Sequence, residues 1–286
     1  MFGFTFFVAT FISRCPRIEL RSNIRANMYL SNPRLFEART TLVNIVPVTA
    51  QEAKENKVPS DLVDFVTHKV ILEDSLFHPQ GGGQPSDKGT LISSSGDVFQ
   101  VLFASSSNRS GPKISEHYGH LSNTAVASED ASEAALAMEK LNVQEEQLDG
   151  KGVTSFQEGQ EVKMIIDANL RQLNARLHSA GHTIDAALKR CEGDVFNKLK
   201  ATKGYHFIEG PYVEYEGELS EKELKELPDM INKHMKDIIT ENIATNIWMA
   251  EKKDASTLLN LREEELQFYP ENVRIVEVAG TTLTNT

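Results

Sequence analysis

A chain of 286 residues with 40% apolar composition can build one large domain or two modest ones with real cores. It has no run of about 18 apolar residues, so it offers no transmembrane helix. Its two cysteines, Cys15 and Cys191, make no disulfide framework and point to an intracellular, cytoplasmic setting, while a formal charge of −11 argues against nonspecific coating of nucleic acid and leaves room for a local basic cleft.

The first stretch, "MFGFTFFVATFISRCPRIELRSNIRANM", places an apolar run before Arg14, Arg17, Arg21 and Arg25, with Glu19 as its one acid. A secretory signal carries its positive charge before the apolar run, so this leader is closer to a mitochondrial presequence. The alternative is an unstructured extension upstream of Met28, and residues 1–27 are set apart from the fold on either reading. Short strand-like runs follow: "TTLVNIVPV" (40–48), "DFVTHKVILED" (64–74), "DVFQVLFA" (97–104) and "KISEHYGHL" (113–121). They are rich in β-branched and aromatic residues and separated by Gly/Ser/Pro/Asn clusters, which predicts a small antiparallel barrel or curled sheet.

Residues 122–152 are alanine-rich and acidic, and are expected to be a helix or a poorly ordered insertion; within 127–150 seven acids face one Lys, a net of −6. "FQEGQEVKMIID" (156–167) returns to strand chemistry. At Asp167 the period changes, because Leu173, Leu177, Ala180, Ile184 and Leu188 recur at helical spacing. Asp167 or Asn169 is the expected N-cap and Gly193 the expected stop. A second helix is predicted from Ser220, where "SEKE" forms a capping box with Glu223. Pro228 inside it is expected to kink or divide the helix. "NVRIVEVAG" (272–280) alternates as a final strand.

Two motifs carry chemistry. "RLHSAGH" (176–182) puts His178 and His182 four positions apart on one helix face, bordering the apolar stripe, with Cβ atoms about 5–6 Å apart. Two imidazoles so placed can reach one Zn²⁺ at about 2.0–2.1 Å each. The intervening "SAG" holds no Glu, so a metalloprotease base is absent. The second motif is "FHPQGGGQPSDKG" (77–89). Gly81, Gly82 and Gly83 leave the backbone unhindered and able to adopt positive φ, so a ligand can approach main-chain N–H groups closely. Gln84 and Asp87 add polar contacts. The loop is neither a phosphate-binding Walker loop nor a dinucleotide fingerprint. A tight turn between strands is the structural alternative.

Together these segments resemble the alanyl-tRNA editing family, the free-standing deacylases related to the editing domain of alanyl-tRNA synthetase. The resemblance covers most of the chain from Met28: "YLSNPRLFEARTTLVNI" (29–45), the Gly-rich segment, "VKMIIDANLRQLNARLHSAGHTIDAAL" (162–188) and "VRIVEVAG" (273–280). It implies an α+β chain: an N-terminal antiparallel β-barrel-like domain (28–165), then an α+β editing domain (166–286) with a His-bearing helix. It also implies one zinc ion, hydrolysis of Ser or Gly wrongly attached to alanine tRNA, and His178 and His182 as the first two zinc ligands. The family's other ligands, a Cys and a His in a Cys-Gly-Gly-Thr-His motif, are expected just after "VEVAG", where this sequence reads "TTLTNT". No Cys or His follows His234.

The expectation is therefore a truncated member with reduced or no activity, or a noncatalytic tRNA-binding or regulatory module of the same fold. Cys191 is too near the histidine helix to substitute, and Glu277 is the residue to watch. In substrate binding, Gly81, Gly82, Gly83 and Gln84 are expected to line the pocket at the tRNA 3′ end. Residues 163–206 carry eight Lys/Arg against four acids, a net of +4, which marks Lys198 and Lys200 as expected tRNA contacts. No membrane partner is expected. A zinc hydrolase of an unrelated small ester or amide is the third reading, and nothing specific supports it.

Overall fold

The computed structural model describes residues 18–21, 28–106, 115–122, 156–192, 195–259, 266, 269, 271–278 and 281–284. Strands β2 (Glu37–Pro47), β3 (His68–Leu72), β4 (Gly89–Ile92), β5 (Val98–Ser106), β6 (Ser115–Ser122) and β7 (Glu161–Ile166) close into an antiparallel barrel in the order β2-β3-β6-β5-β4-β7. Alternation drives the closure. In β7 the side chains of Val162, Met164 and Ile166 point inward while Glu161 is exposed, the period of two that a pleated strand imposes. They meet Leu42, Leu72, Leu91 and Phe99 in the barrel core.

Two features of this half differ from the sequence expectation. The run 64–74 begins as a single 3-10 turn, Val63–Phe65, before β3 starts at His68. And β4, four residues opening on a glycine, gives no strand signal of its own, yet it pairs with both β5 and β7 and closes the barrel. Before β2 lies a short helix, α1 (Met28–Ser31), and after it α2 (Ala50–Glu55), held by a Thr49–Glu52 capping box.

Strand β7 passes straight into the helix α3 (Ala168–Arg190). Asp167 caps it, its carboxylate accepting from the Leu170 N–H at 2.9 Å. A short helix α4 (Val195–Lys198) leads into the hairpin β8 (Leu199–Tyr205) and β9 (Tyr212–Gly217). Then comes α5 (Glu221–Glu241), opened by the Ser220–Glu223 capping box and packed against α3. Pro228 does not divide α5: the helix continues through it, giving up one backbone donor, while Leu227 and Ile231 on its buried face hold it to the core.

Strand β10 (Thr245–Glu251), the helix α6 (Lys252–Leu258), β11 (Asn272–Val278) and β12 (Thr281–Thr284) complete the second half. Strand β1 (Ile18–Arg21) runs parallel to β10, giving a sheet in the order β1-β10-β11-β12. Part of the segment set apart from the fold is thus in register with it. The acidic stretch 123–152, the stop at Gly193 and the rest of residues 1–27 lie outside the described residues. Among the described residues no helix is long and apolar enough to cross a membrane.

Candidate functional site

Helix α3 buries a different stripe from the one its hydrophobic spacing predicts. In its first half Leu173, Leu177 and Ala180 are only half-buried, whereas Arg171, Asn174, His178 and Gly181 are buried. These four also follow three- and four-residue spacing, so they share a face. The apolar positions take over only further on, at Ile184, Ala187 and Leu188, which pack with Ile231 of α5. His178 therefore lies on the buried stripe rather than beside it.

The first member of the polar stripe locks helix to barrel. Arg171 and Asp87 are 3% and 0% exposed. The Arg171 Nε donates to both Asp87 carboxylate oxygens, at 2.9 and 2.8 Å, and Nη2 adds a third bond to Asp87. Remaining donors reach Leu76 O at 2.5 Å and Pro33 O at 3.3 Å. Asp87 also accepts from the His78 N–H at 2.6 Å. Asp87 is expected from the sequence to contact a ligand; instead its carboxylate is taken up by Arg171.

About two and three turns beyond Arg171 stand the histidines. The His178 Nδ1 lies 2.8 Å from Gln84 Oε1. An amide oxygen can only accept, so Nδ1 carries the proton and Nε2 presents a bare lone pair. Burial first, then the charges of His182, His206, His78 and Arg274, push the His178 pKa down to about 2, so the ring is neutral. The His182 Nε2 is 3.0 Å from that lone pair. Its other nitrogen, Nδ1, faces Asp185 Oδ2 at 3.5 Å, and Asp185 in turn accepts from the Tyr215 hydroxyl at 2.5 Å. The 3.0 Å contact is made either by an Nε2–H of His182 donating to the His178 lone pair or, in the other His182 tautomer, by two lone pairs directed at one metal ion.

The glycine segment closes over this pair. Gly81 and Gln84 exchange backbone hydrogen bonds of 3.1 and 2.9 Å around Gly82 (φ 56°) and Gly83 (φ 78°). Positive φ at both central residues marks the mirror-image hairpin turn that glycine supplies without strain. The segment is thus a tight turn, and it is also a wall: a Cβ on Gly82 would stand 3.6 Å from His178 Cε1. A Cβ on Gly83 would stand 2.3 Å from Gly204 O, so only glycine lets β8 approach this closely.

That approach brings in a residue the sequence reading misses. The His206 N–H donates to Gly83 O at 2.9 Å, and its ring stacks on His178 with centroids 4.8 Å apart. Glycines again make the room, since a Cβ on Gly181 would come within 2.4 Å of His206 Cε1 and one on Gly204 within 2.7 Å of His206 Nε2. Burial lowers the His206 pKa to about 4. Beside His206 a small pocket, lined mainly by Leu177, Ile184, Tyr212 and Val213, opens between α3 and the hairpin. The available signal was the hairpin itself: "LKATKGY" and "YVEYEG" flank a Gly210–Pro211 breaker.

Zinc bonds of about 2.0–2.1 Å in a tetrahedron hold neighbouring nitrogens about 3.3 Å apart, so the His178–His182 pair fits two of its positions. A metal ligand's outer nitrogen is usually hydrogen-bonded, and that of His178 is, to an amide oxygen at 2.8 Å; that of His182 faces a carboxylate at 3.5 Å. Among the described residues, no group of three His, Cys, Asp or Glu side chains is placed to hold a metal ion. His206 stacks on its neighbour rather than converging with it. Cys191 is buried in the α3–α5 core with its thiol donating to Ala187 O at 3.4 Å, and burial raises its pKa. Glu277 accepts from Asn246 Nδ2 at 3.0 Å. Lys198 is tied to Glu223 at 2.5 Å, and Lys200 is exposed on β8.

No family model matches the chain. Curated relatives do. An alanine–tRNA ligase of Methanosphaera stadtmanae is 26% identical over 215 residues, which is 75% of this chain and 20% of the ligase. The alanyl-tRNA editing protein AlaX-M of Methanosarcina acetivorans is 24% identical over 219 residues, 75% of this chain and 74% of that protein. The alanyl-tRNA editing protein AlaX-L of Pyrococcus horikoshii is 23% identical over 232 residues, 80% of this chain and 46% of that protein. The chain is thus related in sequence to alanyl-tRNA editing proteins and to a fifth of an alanine–tRNA ligase.

Proposed function

We propose that this chain is a trans-editing hydrolase that cleaves the ester joining a wrongly attached Ser or Gly to alanine tRNA, with zinc as its metal. The observation that carries the reading is the convergence of two imidazole nitrogens, 3.0 Å apart, beneath a turn of bare glycine backbone. The kinship with alanyl-tRNA editing proteins supports the choice of ester and of tRNA. His178 and His182 would hold the zinc, which when bound would supply Lewis-acid polarisation of the ester carbonyl.

The chain's own groups do the rest. Gln84 fixes the His178 ring and its tautomer, and Asp185 stands 3.5 Å from the outer nitrogen of His182. Gly81–Gly83 let the terminal nucleoside come against main chain without a side chain intervening. The small pocket beside His206 leaves room for no side chain or a short one, as in Gly or Ser, and excludes a large one. Of the two lysines, Lys200 is the one open to a phosphate, because Lys198 is already paired.

One observation favours a second reading, a noncatalytic tRNA-binding module: the described residues bring no third ligand to the pair. A single experiment separates the two. Deacylation of Ser-tRNA(Ala) and zinc content are measured on this chain and on His182→Ala. Loss of a metal ligand should cost more than the 10–100-fold that loss of an outer-shell partner costs, and zinc should fall with it. Equal hydrolysis by both proteins sinks the histidine pair as the site. Intact tRNA binding with no hydrolysis by either selects the second reading.

A further inference from the structure

Two hydrogen-bond donors near His178 find no protein acceptor. Asn174 is 2% exposed, one turn before His178 on the same face of α3, and its Nδ2 has no partner. Arg274, on β11, has a buried Nη1 that likewise has none. Strand β11 packs against α3, and the Arg274 charge acts on both His178 and His78. Tyr29, whose ring meets His78 edge-on at 5.2 Å, is the titratable neighbour that favours the guanidinium charge. Among the described residues no carboxylate forms an ion pair with Arg274.

Arg274 as a whole is half-buried, but one of its guanidinium nitrogens is sealed without a partner, which costs stability, and the unpaired amide donor of the buried Asn174 adds to that cost. Folds tolerate such groups where a ligand completes them. Both orphans are donors, so the missing partner is an acceptor, and the guanidinium makes it an anion. A planar guanidinium and an amide N–H match the tetrahedral oxygens of a phosphate.

We propose that Arg274 and Asn174 form an anion subsite beside the histidine pair that takes a phosphodiester of a nucleic-acid 3′ end. It rests on the editing reading for its substrate. The geometry makes Arg274 a positioning residue: it fixes the terminal nucleotide so that the ester falls at the histidines, and it takes no part in bond cleavage.

The test is a thermal melt of the full chain and of Arg274→Met, each alone, with inorganic phosphate, and with the trinucleotide CCA. A sealed donor without an acceptor destabilises the free protein, so Arg274→Met should melt higher than the parent when nothing is added. Phosphate and CCA should raise the parent's midpoint, CCA at the lower concentration, and leave Arg274→Met unmoved. In deacylation, the variant should show KM raised by about ten- to a hundredfold with kcat little changed, the loss of one charge-assisted hydrogen bond to substrate. Asn174→Leu should melt higher too and respond less to phosphate, which keeps the idea testable should Arg274→Met fold poorly.

A lower melting point for both variants shows that the donors are structurally satisfied and overturns the proposal. So does an equal response to CCA in parent and variant, or a parent that responds to phosphate and not to CCA. The melts need no hydrolysis, so the subsite stands or falls apart from the editing activity.

Discussion

Arg171 and Arg274 meet contrasting surroundings in this fold. At the barrel–helix junction the Arg171 guanidinium is fully occupied, by both Asp87 oxygens, Leu76 O and Pro33 O. Around the histidines the same kind of group is left short, with Arg274 Nη1 and Asn174 Nδ2 buried and unpaired. The contrast separates polar groups that hold the protein together from polar groups that await something. A satisfied buried pair fixes where two elements meet; an unsatisfied one costs stability and is retained where a ligand will complete it.

The largest effect should come from breaking the satisfied side. Asp87→Ala leaves the Arg171 charge buried and alone, and should lower unfolding free energy in urea by about 3–5 kcal/mol. Replacing both partners, Asp87→Leu with Arg171→Met, should recover part of that loss. If Asp87→Ala costs no more than an average surface change, the junction is not held by this pair.

Next is the pH response of a histidine that is satisfied while neutral. His117 is buried in the barrel, with Nδ1 donating to Val70 O at 3.1 Å and Nε2 accepting from Ser75 Oγ at 2.8 Å. Burial lowers its pKa to about 4. Between its ordinary value of 6.5 and about 4, the unfolded chain takes up the proton and the folded one does not. The contribution is therefore fully present above pH 6.5 and lost as pH falls toward 4, in all roughly 3 kcal/mol. Stability measured across that window should fall less steeply in His117→Gln. An unchanged slope would assign the acid sensitivity to other groups.

The smallest effect distinguishes two adjacent glycines. Gly83→Ala places a methyl 2.3 Å from Gly204 O at φ 78° and should destabilise by about 1–3 kcal/mol, moving His206 off His178. Gly82→Ala meets His178 Cε1 at an ordinary 3.6 Å, so it should cost less in folding and act mainly on substrate handling. Equal melting points for the two variants would mean that β8 is not pressed against the turn.

Local chemistry decided much of this before any contact between distant segments was known. Period-two runs such as "EVKMII" predicted barrel strands, because alternation needs only a pleated backbone with one wet face. Asp167 and the Ser220–Glu223 box predicted where two helices begin, because a cap acts within four residues. Four-residue spacing put His178 and His182 on one face by the pitch of the helix alone.

Which face of α3 would be buried was not decided there. Spacing favoured Leu173 and Leu177, yet Arg171, Asn174 and His178 went inside, because Asp87 and Gln84, 84 and 94 positions away, meet Arg171 and His178. The same holds for β4, a strand only because β5 and β7 offer it two open edges, and for His206, which enters the site because Gly83, Gly181 and Gly204 each lack a side chain in its way. A polar residue's burial depends on partners far along the chain, and only the closed structure brings those partners within hydrogen-bond reach.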